Sequence, residues 1–168
     1  MKLNALIIGL FALPVMALAA DTPDASFYKK AAEGGLAEVQ LGQLAQEKSK
    51  NPAVKDFGAL MVKDHSAAND KLKSIAATKK ISLPASPGAG EMASKEKQLQ
   101  MLSGEAFDSS YIKGMVKDHE EDIKEFQREA KNGQDPDAKS FAAATLPTLQ
   151  EHLKKIRAIA AANNVSAD

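Results

Sequence analysis

The sequence predicts an all-α fold, a four-helix bundle in up-down-down-up order with a short extra helix in its crossover. Four long stretches repeat apolar residues at helical spacing, and no stretch alternates as a half-buried strand must. The connections near 50 and 133 are short, so helices one and two, and three and four, form antiparallel hairpins. The segment from about 80 to 106 is long enough to cross the whole bundle, which leaves helices two and three parallel. With 168 residues and 44% hydrophobic content, the chain can build one core and is expected to form one domain.

Taken in order, residues 1–20 read as a secretory signal. Lys2 supplies the positive start, Leu6 to Leu18 the apolar run and Ala17-Leu18-Ala19 the small-residue cleavage pattern, so the mature protein begins at Ala20 or Asp21 and residues 21–168 form the domain. The first core helix spans Asp24 to Ser49, with Phe27, Ala31, Gly34, Leu41 and Ala45 on one stripe that the charged Glu38 interrupts. Gly34-Gly35 costs this helix roughly 2 kcal/mol of propensity, which a close helix approach or a kink would explain. Asn51-Pro52 starts the second helix, which runs to about Thr78 with Val54, Phe57, Met61, His65, Ala68, Leu72 and Ile75 in line.

Leu83 to Gly90, rich in proline and glycine, is a linker. A short helix is expected from Glu91 to Leu102, broken at Ser103-Gly104. The third long helix follows with Phe107, Tyr111, Met115, His119, Ile123, Phe126 and Ala130, and ends at Asn132-Gly133. Asp135-Pro136 repeats the cap-and-proline start, and Phe141, Thr145, Leu149, His152, Ile156 and Ile159 trace the fourth helix, in which Pro147 introduces a kink.

The pentapeptide Met-Val-Lys-Asp-His occurs twice, at 61–65 and 115–119, and all three histidines follow an acidic residue directly. His65, His119 and His152 lie near the centres of three helices, and Glu38 near the middle of the first. Because antiparallel hairpins align midpoints, these four residues are expected at one inward-facing level, where three imidazoles and a carboxylate suit a transition-metal ion such as copper, zinc or iron. Met61 and Met115 stand one turn from their histidines, where thioethers could approach copper(I) or simply fill the core. Asp64, Asp118 and Glu151 lie about 100° around from the histidines and are better placed to orient an imidazole than to bind an ion. A histidine layer satisfied by mutual hydrogen bonds and by Glu38, without any ion, is the competing reading.

Composition narrows the partners. Without cysteine there is no lipoprotein anchor, no disulfide and no thiolate metal site. Removing Lys2 with the leader leaves 21 basic against 22 acidic residues, a balance that excludes nucleic acid as a natural partner. No second apolar segment reaches spanning length, so the mature chain has no transmembrane span.

The pattern Phe57, Met61, Asp64, His65, then Phe107-Asp108 with Tyr111, Met115 and His119, then Leu146-Pro147 with Leu149 and His152, resembles the bacterial exported proteins grouped as domain-of-unknown-function family 4142. The resemblance covers about Phe27 to Ala160. It implies a ferritin-like bundle, in keeping with the loop argument, and membership of a group often labelled membrane or outer-membrane proteins, hence periplasmic location with envelope association. The Glu-x-x-His pattern of ferritin-like oxidases is missing, since Val62, Val116 and Leu149 stand three before the histidines.

The expectation is an exported bundle that binds a transition metal or small ligand at Glu38, His65, His119 and His152, in binding or stress protection more than in turnover. Affinity would fall as the histidines protonate below about pH 6.5. A non-enzymatic module whose histidine layer only fixes packing, and a metal-dependent oxidoreductase, are the other readings.

Overall fold

The structure is a computed structural model and describes residues 23–88 and 91–167. The predicted leader lies outside these residues. Five helices follow in order: α1 Pro23–Lys48, α2 Pro52–Lys79, α3 Glu91–Gln100, α4 Gly104–Asn132 and α5 Pro136–Ala162. The described residues contain no strand.

Local chemistry sets the boundaries. Asn51 and Asp135 are both extended, and their side chains accept the backbone N–H groups of Ala53 and Asp137, with proline in the first turn of the helix that follows. At the far end of α2, Lys80 takes the left-handed conformation (φ 58°) and the Ile81 N–H returns to the Ala76 carbonyl at 2.9 Å. Helix α5 continues through Pro147, which has no N–H to offer the Ala143 carbonyl. Two residues before it, the Thr145 hydroxyl donates to the Phe141 carbonyl at 2.8 Å.

The helix ends are tied in two sets. At one end the Asp24 carboxylate accepts the N–H groups of Gln134 and Asp135, while Tyr28 donates to Asp135 and Lys79 bridges Asp135 and Asp137 at 2.8 Å each. The starts of α1 and α5 therefore meet the finish of α2. At the other end the Ser49 hydroxyl donates to Asp108 at 2.6 Å, and Asn51 donates to Asn163 at 2.7 Å. These contacts bring together the finish of α1, the starts of α2 and α4, and the finish of α5. Lys48 turns inward to donate to the Gln100 and Leu102 carbonyls and fastens the crossover to α1.

Where α1 crosses α2, the backbones nearly touch. A Cβ on Gly58 would stand 2.6 Å from the Gly42 carbonyl oxygen, and one on Gly35 would stand 2.1 Å from the Asn69 amide oxygen. Gly35 thus marks a close helix approach, as the sequence allowed, while Gly34 opens onto free space.

The core comes in two halves. Leu41, Met61, Phe107, Met115 and Ile156 belong to one apolar cluster, and Phe27, Leu72, Phe126, Phe141 and Leu149 to the other. On every long helix the break between them is polar: Glu38 on α1, His65 and Asn69 on α2, Asp118 and His119 on α4, and His152 on α5, all buried.

Two outcomes test this packing. Gly58→Ala should lower stability by up to about 2 kcal/mol net in urea denaturation, because overpacking costs about 1–3 kcal/mol against a propensity gain of about 1. The second concerns Glu129, whose carboxyl is raised from 4.5 to about 7, first by burial and then by the charge of Asp24 and a hydrogen bond to it. A carboxyl raised on folding stabilises most below its unfolded value and loses that contribution as pH rises through about 7. Glu129→Gln should therefore gain on wild type as pH moves from 4.5 to 8, measured by urea midpoints across that range.

Candidate functional site

His65, His119 and His152 project from three different helices onto one point. Their rings lie 5.9 Å (His65 to His119), 5.4 Å (His65 to His152) and 5.4 Å (His119 to His152) apart by centroid. One nitrogen from each falls within 4.8 Å of the others, the one set of three such donors among the described residues. Phe57 sets its ring edge-on to His119 and His152, closing the layer on the side of the first apolar cluster.

Hydrogen bonding fixes which nitrogens carry protons. The His119 Nδ1 lies 2.8 Å from the Met115 carbonyl oxygen, an acceptor, so Nδ1–H donates and Nε2 holds a lone pair. The His152 Nε2 lies 2.9 Å from an Asp64 carboxylate oxygen, so Nε2–H donates and Nδ1 holds a lone pair. Those two lone-pair nitrogens face each other at 3.4 Å. Neutral rings cannot hydrogen-bond in that arrangement; the two lone pairs repel unless a cation lies between them.

Electrostatics keeps the rings neutral. Burial first, then the neighbouring imidazoles, holds His65 down at about 3. Burial and His152 hold His119 at about 4, against the opposing hydrogen bond to Met115. His152 is also lowered by burial, with Asp64 pulling the other way. Protonation of His65 and His119 therefore falls well below the pH 6.5 that ordinary histidines suggest. The His65 Nε2 is buried without a protein partner.

The remaining predicted residues separate. Asp64 hydrogen-bonds to His152, the orienting role its position allowed. Asp118 pairs with Lys95 of α3 at 2.5 Å, and the exposed Glu151 with Lys154 at 3.7 Å. Met61 and Met115 are fully buried in the first apolar cluster. Glu38 is 1% exposed but lies outside the three-histidine set; burial first, then the charges of Asp118 and Asp122, raise its carboxyl, against the opposing charge of Lys95. Sequence reasoning passed over Lys95 and Asp122. Asp118 and Asp122, like charges four apart on one helix face, were the available signal; nothing local marked Lys95.

A groove of about 300 Å³ between α2 and α5 is lined by Asp64, His65, Lys71, Thr148 and His152 and leads to the cluster. A smaller cavity of about 30 Å³ beside Gly34 is lined by His65, Asn69 and Asp122.

The chain matches the domain of unknown function DUF4142 over residues 13–159. The chain belongs to the DUF4142 family. Its fold is also similar to the crystal structure of a DUF305 protein from Streptomyces coelicolor, described as secreted, with a TM-score of 0.75 over 89% of this chain and 99% of that one. At 12% identity this likeness concerns the fold alone. No curated protein matches this DUF4142 chain. No described helix is long and apolar enough to cross a membrane.

Nitrogen-15 NMR of the metal-free DUF4142 protein at pH 7 should find the proton of His119 on Nδ1 and that of His152 on Nε2. Protons on the facing nitrogens instead would remove the lone-pair conflict.

Proposed function

We propose that this DUF4142 protein binds one transition-metal ion through His65, His119 and His152, in an exported, periplasmic bundle of ferritin-like up-down-down-up order, serving metal binding and stress protection. The facing lone pairs of His119 and His152 carry the reading. Two ligands at a bond length of about 2.0–2.1 Å around a tetrahedral ion stand roughly 3.3–3.4 Å apart, and these nitrogens stand 3.4 Å apart. His65 Nε2, buried without a protein partner, is the third donor at hand.

The surroundings support it. Asp64 on the far nitrogen of His152, and the Met115 carbonyl on that of His119, are the outer partners that metal-bound imidazoles use to fix tautomer and orientation. Neutral rings are the form a metal needs. The α2–α5 groove, lined by His65 and His152, would give an ion an entry path. Three imidazoles without thiolate suit zinc, copper or iron.

Magnitude favours an ion over bare packing at His65: its buried Nε2, left without a partner, would cost about 1–3 kcal/mol, a sizeable part of the roughly 5–15 kcal/mol net stability of a domain.

Untagged protein should bind one equivalent of zinc or copper, with a raised thermal midpoint. His65→Ala/His119→Ala should abolish this, and Asp64→Asn should weaken affinity about 10–100-fold. Elemental analysis and calorimetry decide; no metal bound by wild type and an unmoved midpoint would sink the reading.

A further inference from the structure

Three imidazoles offer an ion three donors, and among the described residues no carboxylate joins their set. A tetrahedral ion such as zinc takes four. A fourth ligand then comes from outside the protein, and the α2–α5 groove, which reaches His65 and His152, sets its chemistry.

The groove runs between two antiparallel helices. Asp64 on α2 meets His152 on α5, while Lys79 at the finish of α2 meets Asp135 and Asp137 at the start of α5. Lys71, two helical turns beyond Asp64, therefore lines the groove beside Ala144 and Thr148, about 10 Å along from the imidazoles. Ala67, Ala68 and Leu149 line it as well. These small side chains leave about 300 Å³, room for about ten water-sized groups at roughly 30 Å³ each.

Charge narrows the class of ligand. A divalent ion at one end and the Lys71 ammonium at the other outweigh the single negative charge of Asp64 by two, which a doubly negative ligand balances. The methyl groups on the groove wall favour a hydrocarbon segment between the two ends, whereas they would strip water from a compact inorganic anion without replacing its hydrogen bonds.

We propose that the groove binds a small organic acid with two carboxylates, one on the ion held by His65, His119 and His152 and the other on Lys71. This rests on the metal reading above and adds to it the class of ligand. Lys71 lies outside the imidazole set, so it serves the ligand and not the ion.

The test uses the untagged full chain loaded with cobalt(II), whose visible bands report its ligands. Succinate should shift those bands at a concentration about five- to tenfold lower than butyrate, which has the same number of carbons and one carboxylate. Lys71→Met, at an exposed position, should erase that preference. Cobalt bands that neither acid moves, or that both move alike in wild type, overturn the proposal and leave the metal site standing. A preference for succinate that persists in Lys71→Met overturns it too. A chain that takes up neither cobalt nor zinc removes the metal reading, and the organic-acid site with it.

Discussion

Two imidazole nitrogens that cannot hydrogen-bond, held 3.4 Å apart in the middle of the bundle, are the constraint around which the rest is arranged. Each is denied a proton by its own ring: His119 donates from its other nitrogen to the Met115 carbonyl, and His152 from its other nitrogen to Asp64. Burial opposes a further proton on either ring. A metal ion of the kind proposed would take both nitrogens at once and relieve the contact.

Holding that contact takes the whole fold. Buried polar groups persist in an apolar core only if what surrounds them is too well packed to rearrange. Here the two apolar clusters clamp the layer from both sides, Phe57 from one and the Phe27, Phe126 and Phe141 group from the other. The helix ends are pinned by hydrogen bonds and ion pairs from Asp24, Lys79 and Asp135 at one end and from Ser49, Asn51 and Asn163 at the other. The glycine contact of α1 with α2 removes slack between those helices. The α2–α5 groove reaches His65 and His152, and its wall on α5 includes Thr145 and Thr148 on either side of Pro147.

The layer is chemically divided. Nitrogen donors from α2, α4 and α5 gather on one side, and oxygen donors from α1 and α4, with the Lys95 ammonium, on the other. One helix serves both: Asp118 and His119 are neighbours in sequence, and their side chains leave α4 in directions about 100° apart. This explains why the repeated Asp-His pairs differ in use. Asp64 reaches across to another helix's histidine, His152, while Asp118 pairs with the crossover lysine.

The sequence alone determined the helices, their caps and the inward stripes, because those depend on local periodicity and on residues such as Asn51-Pro52 and Asp135-Pro136 acting on their own backbone. It also led to the expectation that Glu38 and the three histidines share one level, since short hairpin loops align helix midpoints, and the three histidines do come together. Which of them meet was a tertiary matter. Periodicity places a side chain on a helix face to within tens of degrees, whereas joining a cluster is decided within about an ångström, by how far one helix is rotated against the next. Glu38 was therefore legible as buried but not as a neighbour of Asp118, Asp122 and Lys95. Lys95 was illegible because its partner lies 23 residues away across the crossover. The direction in which each imidazole nitrogen points was also beyond the sequence, because that depends on acceptors supplied by the folded helices: the Met115 carbonyl and the carboxylate of Asp64.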